Sequence, residues 1–301
     1  MNISDLEKVD SKSMFRTYDR WPEIAVESFE NKFEKYEIGE IDNIVFAGMG
    51  GSGSIGDTIS AILSKKDIHV SNVKGYLLPK TVDEKTLVIV TSVSGNTIES
   101  LEVLENAKKT KANVVSFSSG GKMEKFCKEN NMFFQKIPMI HSPRSSYTSF
   151  LYSILNVLEP ILPIKQKDIH ESIFMLKETR DIISSENITE ENDSLRLARF
   201  ITECVSIYYP AGLQAAAIRY KNSLQENTKI HAMAEDVIES CHNGVVAWER
   251  QSNVSPVLLR GKDDYFRTIE RWDILEDFFR SKSIEYHVVN SLEGSILSKI
   301  V

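Results

Sequence analysis

Two short stretches of this chain combine hydroxyl groups with bare backbone: GMGGSG at 48–53 and TSVSGNT at 91–97. Each follows an apolar, β-branched run that reads as a buried strand, and each opens a helical pattern. Glycines there permit a tight turn and let a ligand approach without a Cβ in the way. The helix start behind them offers free N–H groups and the positive end of the helix dipole, a ready site for phosphate. Gly51 and Ser52 lie in the first stretch. Ser92, Ser94 and Thr97 place three hydroxyls in the second, each able to donate a bond to a charged oxygen. Plain N-capping uses the same residue types. Gly48, Gly50 and Gly53 also match the GxGxxG spacing of a dinucleotide site, which needs an acidic residue closing the second strand. Here that strand runs HVSNVKGYLLP and ends without one. A third turn, SFSSGGK at 116–122, reads as structural.

The elements that must hold these loops follow from the pattern around them. Strands are expected at 44–47, 69–77, 86–91, 113–117 and 133–137, with helices at 54–64, 97–109 and 120–130. That alternation implies a parallel sheet with helices on both faces, where ligands bind outside the carboxyl ends of the strands. Two short helices are expected within 4–38. A mainly helical stretch, 147–192, ends in a polar run. Fainter alternation resumes from 195, with strands at 203–208, 256–259 and 285–289 and helices at 212–225 and 263–282. The expected domains are N-terminal helices (1–40), a first α/β unit (41–146), a helical connection (147–194) and a second, smaller α/β unit (195–301). No sequence repeat links the two units.

Composition narrows the function classes. With 301 residues, 42% apolar and 26% charged, the chain has the make-up of an ordinary globular enzyme. A net charge of −7 argues against nucleic acid or an anionic membrane as partner. Cys127, Cys204 and Cys241 form no CxxC pair, and the N-terminus is too polar for a signal peptide. The expected compartment is the cytoplasm. The six histidines (69, 141, 170, 231, 242 and 287) share no ligand spacing, so no metal is expected.

GMGGSG at 48–53 with TSVSGNTIESL at 91–101 resembles the sugar isomerase (SIS) domain. SPR at 142–144, KNSLQENTK at 221–229 and ESCHN at 239–243 narrow the resemblance to the bifunctional phosphoglucose/phosphomannose isomerase family, in order and over residues 44–297. It implies two SIS-type, doubly wound, flavodoxin-like α/β subdomains with helical connections, and a phosphorylated hexose as substrate. Gly51, Ser52, Ser92, Ser94 and Thr97 would hold its 6-phosphate. Arg144 would stabilise charge at the reacting carbons, Glu226 would be the base, and His242 would open the sugar ring. That histidine would come from the other subunit of a homodimer, and no cofactor is implied. In the family a final helix beyond the segment matching EGSILSKIV carries a further lysine. Lys299 lies too early for that match and is given no such role.

The chemistry of these side chains fits the roles. Aldose–ketose exchange moves one proton between C2 and C1 through a cis-enediol, which needs a carboxylate and a nearby cation. Histidine, with a near-neutral pKa, suits ring opening. A phosphosugar sensor without catalysis is the rival reading. It would need the phosphate loops but neither Glu226 nor His242.

Overall fold

The two most apolar runs of the first half become the two central strands of a sheet, because helices cover them on both sides. The computed structural model describes residues 2–301. The chain opens with α1 (Ile3–Val9), α2 (Met14–Asp19) and α3 (Trp21–Phe29). Then come β1 (Asn43–Ala47), α4 (Gly50–Leu63), β2 (His69–Val73), β3 (Thr86–Ser92), α5 (Ile98–Ala107), β4 (Asn113–Ser118), α6 (Gly121–Glu129) and β5 (Phe133–Lys136). A 3-10 turn, Arg144–Ser146, leads into α7 (Tyr147–Val157), α8 (Gln166–Ile183) and α9 (Asp193–Phe200). The second half runs β6 (Cys204–Tyr209), α10 (Gln214–Asn227), β7 (His231–Asp236), α11 (Val237–Ser240), β8 (Val254–Arg260), α12 (Phe266–Ser281), β9 (His287–Asn290) and α13 (Ile296–Ile300).

The strands form two sheets, ordered β2-β1-β3-β4-β5 and β7-β6-β8-β9. Every pairing is parallel. Successive side chains of a strand face opposite ways, which divides each sheet between two cores. Ile44, Phe46, Leu87 and Ile89 pack with α3, α4 and α7, while Val45, Ala47, Val88 and Val90 pack with α5 and α6. In the second sheet Val205, Ile207 and Tyr209 meet Ala217 and Leu224 of α10. Tyr208 and Leu258 meet Trp272, Leu275 and Phe279 of α12 on the other side. The molecule is therefore two doubly wound α/β units, as the alternation predicts.

Several boundaries differ from the sequence reading. The strand expected over 69–77 ends at Val73, since Gly75 and Pro79 take the chain out of the ladder. The helix expected from 54 begins at Gly50, whose φ of +53° lets the chain turn straight into it. Three N-terminal helices stand where two were expected. β7 was not foreseen: HAMAED is a half-exposed edge strand without an apolar run.

Candidate active site

β1 and β3 lie side by side at the centre of the first sheet, and the chain leaves them in opposite directions along it. The crevice beyond their carboxyl ends is where such sheets bind ligands. Both hydroxyl-rich loops sit there. The Val93 N–H donates to Ser52 Oγ at 3.3 Å, which ties one loop to the other. Ser92 Oγ accepts from the Gly95 N–H at 3.1 Å and lies 2.8 Å from Thr97 Oγ1. Ser94 is exposed, its Oγ accepting from the Asn96 N–H at 3.2 Å. Neither α4 nor α5 has a side-chain cap. Capping therefore does not account for these hydroxyls. The Ser52 and Gly53 N–H groups donate to the Met49 carbonyl at 3.0 and 3.2 Å, so at the start of α4 those of Gly50 and Gly51, with the first-turn N–H groups of α5, are the ones open to an anion.

The third turn serves the second loop. Gly95 has φ +68°, and a Cβ there would stand 1.8 Å from the Gly120 carbonyl oxygen. The Met123 N–H donates to the Gly95 carbonyl at 2.9 Å, and the Lys122 N–H to Asn96 Oδ1 at 3.1 Å. At the end of β2, where a dinucleotide site needs a carboxylate, stands Lys74, paired with Asp57 at 2.6 Å.

The SPR segment crosses the first loop, with the Pro143 carbonyl 3.4 Å from where a Gly51 Cβ would be. From there Arg144 reaches the last turn of α10 in the second half. Its Nε lies 2.8 Å from Glu226 Oε2, and one terminal nitrogen donates to Asn227 Oδ1 at 2.7 Å and to the Glu226 carbonyl at 3.3 Å. Lys229 Nζ also donates to that carbonyl. Two cations thus converge on the negative end of the α10 dipole and on a carboxylate. The fold brings together residues 82 positions apart in sequence.

His242 stands elsewhere. It is exposed, just beyond α11, with its backbone N–H on the Glu239 carbonyl at 2.9 Å. Among the described residues it shares no hydrogen bond with Arg144 or Glu226. Beside it, Glu235 at the end of β7 presses on Gly244, where a Cβ would lie 2.5 Å from Oε2. Burial, then the charges of Glu239 and Asp236, raise the Glu235 pKa above its ordinary value. Lys299 pairs with Asp263 at 2.9 Å. Asn227 and Glu235 escaped the sequence reading. Asn227, next to Glu226 in QENTK, could have been found by proximity, but no local signal marks Glu235.

Among the described residues no group of three or more His, Cys, Asp or Glu is placed to hold a metal, and no helix is long and apolar enough to cross a membrane.

Residues 37–156 match the SIS domain family, and residues 190–301 match the bacterial phospho-glucose isomerase C-terminal SIS domain. A bifunctional phosphoglucose/phosphomannose isomerase from Caldicellulosiruptor bescii is 28% identical, over 95% of this chain and 88% of that protein. One from Aquifex aeolicus is 31% identical, over 84% of this chain and 80% of its own. In fold, the chain resembles the C-terminal domain of glucosamine-fructose-6-phosphate aminotransferase from Francisella tularensis. That likeness has TM-score 0.70 and 16% identity, and covers 95% of this chain and 90% of that one. Motif order, two parallel sheets with loops at a switch point, and a relative above 30% identity over most of its length agree: the chain belongs to the bifunctional phosphoglucose/phosphomannose isomerase family.

Proposed function

We propose that this protein is a metal-independent aldose–ketose isomerase, interconverting glucose 6-phosphate and mannose 6-phosphate with fructose 6-phosphate through a cis-enediol. The names of its relatives support the substrates. The observation that carries the chemistry is the Arg144–Glu226 pair, a carboxylate and a guanidinium 2.8 Å apart beside the glycine loop.

The 6-phosphate docks on the Gly50 and Gly51 N–H groups of α4, on the first-turn N–H groups of α5 and on the hydroxyls of Ser52, Ser92, Ser94 and Thr97. This binding, remote from C1 and C2, orients the reacting carbons. Glu226 takes the C2 proton. The C–H electrons form the C1–C2 double bond, and the carbonyl π electrons move to O1 and take up a proton. Reprotonation at C1, with collapse of the O2–H bond into a carbonyl, gives the ketose. Arg144 stabilises the enediolate oxygen as its charge develops. Glucose and mannose 6-phosphates differ only at C2, so they share this enediol, and one carboxylate serves both without a metal. His242 opens the ring. Its exposure and the lack, among the described residues, of any hydrogen bond to the pair suit a histidine that serves the site of a second copy in a cytoplasmic homodimer.

The test is fructose 6-phosphate formation from each aldose by the purified protein in EDTA, beside Glu226→Gln. Turnover of both sugars that collapses in the variant is the expected result. Tight phosphosugar binding without turnover would leave a sensor instead.

A further inference from the structure

Seven residues before Glu226 on α10 lies an arginine with no acid to pair with. Arg219 is partly buried, and its guanidinium carbon sits 4.1 Å from the centre of the Tyr147 ring and 4.4 Å from that of Trp21. Among the described residues it makes no ion pair. Desolvation lowers its pKa from the ordinary value, with partial compensation from Tyr147 and Tyr18. Its two aromatic partners stand on α3 and α7, which pack against the first sheet, and are themselves anchored. The Trp21 indole N–H donates to the Ser145 carbonyl at 2.9 Å, one residue past Arg144. The Tyr147 hydroxyl lies 2.7 Å from Thr58 Oγ1 on α4.

A spacing of seven puts Arg219 and Glu226 on the same face of α10, two turns apart. That face therefore meets the Arg144–Tyr147 segment twice. At one end is the Glu226–Arg144 pair, with side chains 48% and 35% exposed, which is weak glue. At the other is a desolvated cation lying against the faces of two adjoining rings, whose centroids are 6.1 Å apart, a much stronger contact.

We propose that Arg219 is a positioning residue for Glu226: stacked on both Trp21 and Tyr147, it fixes α10 of the second unit against the first, so that the carboxylate meets Arg144. The inference rests on the isomerase reading for its kinetic consequence. The phosphate loops lie wholly in the first unit, so the consequence falls on kcat and spares KM.

The experiment compares Arg219→Met and Arg219→Lys with the parent in glucose 6-phosphate turnover, with circular dichroism to check folding. Met keeps an apolar stem without charge, and Lys keeps charge without the flat stacking surface. For Met, kcat should fall about 10²-fold, the order that an ångström of misplacement costs, with KM within about threefold. Lys should recover part of the loss, and it carries the test alone if the Met variant does not fold. Folded variants with the parent's kcat, or with a raised KM and unchanged kcat, would overturn the proposal.

If the parent turns over no hexose 6-phosphate, the isomerase reading fails by itself. The positioning role is then read from unfolding midpoints. Glu226→Gln should shift the midpoint less in the Arg219→Met background than in the parent, and equal shifts would refute the role.

Discussion

Glu226 combines reach with accessibility: its side chain is about half exposed, yet it lies against a guanidinium at the end of a helix. A pair that open contributes only about 0–1 kcal/mol to stability. Glu226→Gln is therefore expected to unfold within about 1 kcal/mol of the parent in urea. Its kcat should fall by about 10²–10⁴-fold, the usual share of a general base, and a loss of activity through unfolding would contradict this. Glu235 gives a pH-dependent counterpart. Its folded-state pKa is raised, so its stabilising state is the protonated one, fully present below the unfolded pKa and lost as pH rises through the folded value. Glu235→Gln should thus raise Tm at neutral pH, and the gain should vanish below about pH 4, near the ordinary carboxylate value. Hydroxyls and glycines of the proposed phosphate loops are legible in sequence because each loop is local. The Arg144–Glu226 contact is not, since only the packing of two sheets joins positions 82 apart.

The loops owe their shape to elements packed behind them. Gly95 cannot carry a side chain, both for its φ of +68° and for the Gly120 carbonyl 1.8 Å from a Cβ. Gly95→Ala should cost about 2 kcal/mol or more in urea unfolding, and it should also raise KM for phosphosugars, because the clash displaces the loop from the SFSSGGK turn. A variant of parental stability and KM would refute that clamp. The central strands announce themselves in sequence because burial on both faces demands an unbroken apolar run. Edge strand β7 is half exposed, and HAMAED offers no such run. The start of α4 at Gly50 was also hidden, because a glycine-rich first turn lacks the apolar period that marks a helix.

At the scale of the molecule, the order β7-β6-β8-β9 repeats β2-β1-β3-β4 strand for strand, though no sequence repeat shows it. Strand order is kept by burial pattern, which many sequences satisfy, while the loops diverge. The first unit supplies glycine and hydroxyl loops, and the second supplies Glu226 and the His242 turn. If His242 serves a second copy, mixing Glu226→Gln with His242→Ala should restore one intact site per mixed dimer, about a quarter of parental activity at equal proportions. No recovery on subunit exchange would place both residues in one chain's site.

The central claim is that Glu226 moves a proton through an enediol, and solvent deuterium tests it most directly. Glucose 6-phosphate is turned over in D2O by the parent and by Glu226→Gln, and the label is read by NMR. A half-exposed base exchanges its proton with water, so deuterium is expected at C1 of the fructose 6-phosphate and at C2 of recovered aldose, both lost in the variant. Full turnover with no label on either sugar, or label undiminished in Glu226→Gln, would contradict it.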